Sequence, residues 1–185
     1  MESCEEKGDI MRTIFLASAV IVFLGGFTRA EARVSTAQER QDFIKAVKLL
    51  EEDPLSDKAA TLRAWAANWL DECEDIEAIV TVDLLVPVLH SKEQKFQPTI
   101  VGQFAFACGV YAIEKGKKDQ QDPVERNVRA LESTVRMYRN LVKDHPENKV
   151  EGMEQLVKVV DEKRVVEYVK KILAGDPQTK DGEKK

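Results

Sequence analysis

The stretch LRAWAANWLDEC, Leu62 to Cys73, carries both tryptophans of the chain, four residues apart, and ends on a cysteine. Two chemistries would use such a pattern: stacking of a base or sugar on paired indoles, and nucleophilic or redox work by a thiol. Residues four apart on a helix lie one above the other, and Trp65 and Trp69 share their stripe with Leu62, Ala66 and Leu70. A stacking platform sits more naturally among basic and polar neighbours, and Arg63 and Asn68 fall elsewhere on the wheel. The pattern therefore predicts that both tryptophans are buried core. Cys73 and Cys108 are the two cysteines beyond the N-terminal apolar run. In an oxidising space an even count permits one bridge, and closing a loop of about 35 residues would stabilise by about 3.5–4 kcal/mol. The alternative is two buried thiols acting as small hydrophobes. A catalytic thiol has no histidine placed by sequence to activate it.

The other chemistry-bearing residues are sparse. The two histidines, His90 and His145, fall at expected helix ends, where a cation meets the negative end of the helix dipole. Neither stands in HxxxH or HExxH spacing. There is no glycine-rich phosphate loop and no GxSxG. The acids of Glu51-Glu52-Asp53 and Asp71-Glu72 read as solvated helix ends. A hydrolase would need two carboxylates held across a cleft, which spacing along the chain neither requires nor excludes. No catalytic, cofactor-binding or metal-binding residue is expected.

The elements that would position these residues are helices. Thr36 with Glu39 makes a capping box before Phe43, Ala46, Val47 and Leu50. Ser56 is the expected cap of the tryptophan helix. A short extended piece is allowed near Ile79–Val82, but Pro87 argues against a central strand and favours a helix over 83–90. Pro98 opens IVGQFAFACGVYAI, apolar nearly all round from Ile100 to Ile113, as in a helix enclosed by its neighbours. Asp122-Pro123-Val124-Glu125 gives an N-cap, a proline at the first helical position and an acid at the third. Val124, Val128, Leu131, Val135, Tyr138 and Val142 then recur over five turns. Shorter helices are expected over 154–160 and 163–174, with Gly175 as the stop. The predicted fold is all-α, one domain of six or seven packed helices over 33–175, followed by a disordered polar tail over 176–185.

AVKLLEEDPLSDKA and STVRMYRNLVKDHPENK share a form: an amphipathic helix ending in acid, proline and polar residues. This form resembles the second helix of a tetratricopeptide repeat and the turn after it, over about 30 residues. Pro54 and Pro146 stand 92 residues apart, not a multiple of the repeat length, and the first-helix signature positions are unmatched. The resemblance implies packed helical hairpins and does not extend to a peptide-binding groove.

The N-terminal end addresses the chain. Ile14 to Phe27 is a run of 14 uncharged residues, short of the roughly 20 that a stable membrane anchor needs. Arg12 precedes it and Ala30-Glu31-Ala32 follows, the layout of a signal peptide over 1–32 with cleavage after Ala32. The alternative is an uncleaved, tilted anchor. Met11 makes a better start than Met1, because Glu2, Glu5, Glu6 and Asp9 outnumber Lys7 before it. The leader takes three of the 28 basic and five of the 33 acidic residues, so the remaining 153 residues carry a net charge of −3. That near-neutral balance excludes an electrostatic reason to bind nucleic acid. These features predict a secreted or periplasmic, non-enzymatic protein that binds a protein partner. The alternative is a small-ligand carrier whose internal pocket is lined by the helix from Ile100 to Ile113.

Overall fold

The computed structural model describes residues 33–175; the signal peptide expected over 1–32 and the disordered tail expected over 176–185 lie outside the described residues. Seven α-helices follow one another: α1 (Ala37–Glu52), α2 (Ala59–Glu72), α3 (Val86–Leu89), α4 (Gln97–Lys115), α5 (Pro123–Lys143), α6 (Glu151–Asp161) and α7 (Val165–Leu173). The described residues contain no strand, only a bridge between Arg33 and Cys73. The β-branched stretch before α3 is irregular, and the helix expected over 83–90 begins as a 3-10 turn, Val82–Leu85, that runs into α3.

Side-chain caps account for the starts of α1 and α5. Thr36 accepts from Glu39 N while the Glu39 side chain accepts from Thr36 N, the reciprocal box expected. Asp122 Oδ1 accepts from Val124 N at 2.7 Å and Glu125 N at 3.0 Å, with Pro123 at the first helical position. Ser56 corrects the expectation: its hydroxyl donates to Asp53 O, and α2 starts from Lys58 without a side-chain cap. The backbone turn over 54–58 delivers the chain into α2 instead. α6 begins at Glu151, earlier than its apolar spacing implies, because Gly152 and Met153 are already buried against α3 and the core.

α4 is buried on most of its circumference, as its nearly all-round apolar character predicts. One side belongs to a cluster with α1 and α2, built on Phe43, Val47, Leu50, Ala66 and Trp69. The other joins α3, α5, α6 and α7 around Leu84, Phe104, Tyr138 and Met153. α5 is likewise buried beyond its valine stripe, taking in Ala130, Thr134, Met137 and Leu141. α1 runs antiparallel to α2, since Arg33 meets Glu72 at one end and Arg63 donates to Pro54 O at the other. It is also antiparallel to α4, with Gln103 reaching Val47 O and Gly109 facing Phe43. α2 and α4 are therefore parallel. Gly109 allows this approach: an added Cβ would stand 2.9 Å from Leu70 Cδ2.

The start of the domain is tied down by charge. Arg33 pairs with Glu39 at 2.9 Å and Glu72 at 3.5 Å, and Asp75 accepts from Ser35 and Arg40. The Arg33 hydrogen bond, then those of Thr36, hold Glu39 down at about 2 against its ordinary 4.5. A depressed carboxylate contributes stability in full above its unfolded pKa and loses it as pH falls through the folded one. Acid titration of thermal stability should show a loss between about pH 4.5 and 2 that shrinks in Glu39→Gln; an unchanged profile would contradict this role.

Candidate binding groove

Toward the N-terminal ends of α2 and α4 the facing side chains become small. Ala64 and Ala67 of α2 stand opposite Gly102 and Ala105 of α4, so a trough opens where larger residues would interlock. The segment after α2 closes one side with Ile76, Ala78 and Val80, and Leu70 and Phe106 lie at the far end. The groove holds about 680 Å³, is mainly apolar and opens to solvent. Its polar lining is Arg63, Thr99 and Asp71. Arg63 and Asp71 are eight residues apart on one face of α2, about 12 Å along the helix. Neither has an ion-pair partner among the described residues.

A second groove of about 330 Å³ lies between α1, α4 and α5, over Val47, Ala107, Val110 and Tyr111. Its charges are largely spent on each other. Glu51 is held by Arg136 at 2.5 Å and accepts from Ser133 Oγ at 2.7 Å, and Gln103 donates to Ser133 at 3.0 Å. Arg129 holds Glu114 at 2.7 Å and also Glu125. Glu132 has no ion-pair partner among the described residues, but Arg129 and Arg136 flank it at one-turn spacing. This network knits three helices together. It also corrects the reading of Glu51 as a solvated acid: its side chain is 19 % exposed and bonded across 82 residues to Ser133. No spacing along the chain signals that contact.

The residues singled out in the sequence do not converge. Trp69 is buried, 2 % exposed, stacked on Phe43 at 4.6 Å between ring centroids. Trp65 corrects the expectation of burial, because it is 37 % exposed. Its ring neighbours are Trp69 at 6.3 Å and Phe43 at 6.4 Å, while Phe106 of α4 meets Phe43 edge-on at 6.3 Å. Trp65 is thus the outer ring of a stack that α4 closes from the other side. Cys73 belongs to the α1–α2 cluster and Cys108 to the α3–α7 cluster, each as a buried free thiol. Burial pushes the Cys108 thiol up to about 12 and raises that of Cys73, so both stay protonated at neutral pH. His90, just after α3, and His145, just after α5, are both exposed, and among the described residues no three metal-ligating side chains gather. No described helix is long and apolar enough to cross a membrane.

No protein-family model, curated protein or solved structure matches this chain.

Gly102 gives the groove a direct test. An added Cβ would meet only the Phe106 ring, at 3.6 Å, an ordinary contact. Gly102→Ala should therefore gain helix propensity without a clash, stabilising by about 0.5–1 kcal/mol. Chemical denaturation should show a higher midpoint with an unchanged slope; destabilisation would mean that α2 and α4 close more tightly than the groove implies.

Proposed function

We propose that this chain is an exported, non-enzymatic helical protein, secreted or periplasmic, that acts by binding a protein partner through the groove between α2 and α4. One observation carries this reading: an apolar surface trough of about 680 Å³ walled by small side chains and lined at its ends by charges without an ion-pair partner among the described residues. Small-molecule sites bury most of their ligand's surface, and this trough is too open to do so. An open, elongated trough instead suits a side-chain stripe from another polypeptide. The N-terminal apolar run and the Ala30-Glu31-Ala32 site support export.

Native mass spectrometry of the chain isolated gently from its host tests the reading. A co-purifying polypeptide is the expected result, on a chain that begins at Arg33. A bound small molecule with no polypeptide would replace the partner by a carried ligand, and an intact leader in the membrane fraction would overturn export.

A further inference from the structure

Resting on the partner-binding reading, we infer that the α2–α4 groove receives an amphipathic helical segment with a bulky apolar stripe flanked by an acidic and a basic residue about two turns apart. The floor sets the first requirement. Ala64, Ala67, Gly102 and Ala105 present no side chain beyond a methyl, so the groove accepts knobs such as Leu or Phe and offers none. The length sets the second. The α2 wall from Arg63 to Asp71 spans about 12 Å, a little over two helical turns, which matches apolar residues at i, i+4 and i+7.

The charges set the third. Arg63 is half-buried and donates to Pro54 O at 2.9 Å, with no carboxylate partner among the described residues. Desolvation accordingly pulls its pKa down, so an incoming carboxylate would relieve an existing cost. Asp71 is exposed, and no hydrogen bond or ion pair engages its carboxylate among the described residues. Elsewhere most arginines of this surface are paired, as Arg33, Arg40, Arg129 and Arg136 are. Opposite, unanswered charges at the two ends of one apolar trough select a segment carrying the complementary pair, and discriminate against like-charged segments.

Stapled helical peptides with one leucine stripe and three end pairs, Glu/Lys, Lys/Lys and Glu/Glu, are the probes, titrated into the exported chain. Testing end pairs makes the result independent of which way round the helix lies. The Glu/Lys peptide should bind the natural chain about fivefold more tightly than either like-charged peptide, with the margin falling at high salt. Asp71→Lys should shift the preference to Glu/Glu, and Arg63→Glu to Lys/Lys. Gly102→Leu should abolish binding of all three, with folding checked by circular dichroism. Ala67→Gln, at a position exposed in the free chain, repeats that block without disturbing the core. Absence of binding, equal binding of the three peptides, or indifference to both blocking variants would overturn the inference. A polypeptide seen by native mass spectrometry together with indifferent peptides would leave the partner reading standing and remove this one; a small molecule alone would remove both.

Discussion

Gly152→Ala is expected to destabilise the domain by about 3 kcal/mol or more, a larger effect than any other single methyl addition here. α6 meets α3 with no side chain between them: an added Cβ would stand 2.0 Å from Pro87 O and 2.5 Å from Val88 N. Those atoms are backbone and cannot rotate away. The same approach lets Gly152 N donate to Ser91 Oγ at 2.8 Å, while Ser91 Oγ donates to Pro87 O at 2.9 Å. A methyl group forces the helices apart and breaks this relay. Overpacking typically costs about 1–3 kcal/mol where side chains can yield; a backbone wall puts this site at the upper end or beyond. Alanine's better helix propensity returns about 1 kcal/mol at most. Gly102→Ala, with the same gain and no clash, is the matched control. Equilibrium denaturation decides: equal midpoints for the two variants would mean that α3 and α6 do not touch as described.

Trp69→Ala is expected to cost about 3–5 kcal/mol, through lost transfer energy and the cavity left behind. A domain of this size is commonly stable by about 5–15 kcal/mol, so this one change takes a large share. Trp69 stacks on Phe43 at 4.6 Å and meets Trp65 at 6.3 Å, so truncation also removes both ring contacts. Trp69→Phe should be much milder. Most of the volume stays, and the indole N–H has no acceptor among the described residues, so no hydrogen bond is lost. Trp65→Ala should cost less than Trp69→Ala, because Trp65 is 37 % exposed and already partly solvated. Acrylamide quenching should resolve two populations, with the accessible one absent from Trp65→Phe. A single shielded population would mean that something covers Trp65.

The contrast between the two tryptophans shows what the sequence could carry. Their shared stripe identifies the face of α2 that turns toward α1, and that face is right. Which of the two is covered depends on where α4 crosses, and no periodicity in α2 records it. The same holds for Gly152. A glycine near a helix start reads as weak propensity, whereas its contact is with Pro87 and with Ser91, 61 residues away. Caps are legible because donor and acceptor lie within one turn, as at Thr36 and Asp122. The groove was hidden for a different reason. Ala64 and Ala67 are good helix formers and signal nothing alone; only the parallel pairing of α2 with α4 sets them opposite Gly102 and Ala105. Within the apolar helix from Ile100 to Ile113, Val101, Gly102, Ala105 and Phe106 line one groove and Ala107, Val110 and Tyr111 line the other.

Binding in the α2–α4 groove is tested most directly by a photoreactive amino acid placed at Asn68 in the full chain, expressed in its host and irradiated in intact cells. Asn68 is exposed on α2 next to Ala67 without lining the groove, and Val166, 45 % exposed on α7, serves as the reference position. The prediction is a discrete adduct of protein size from Asn68, absent from Val166 and lost when Gly102→Leu fills the trough. Adducts of the same size and yield from both positions, or none from Asn68, would contradict a partner in this groove.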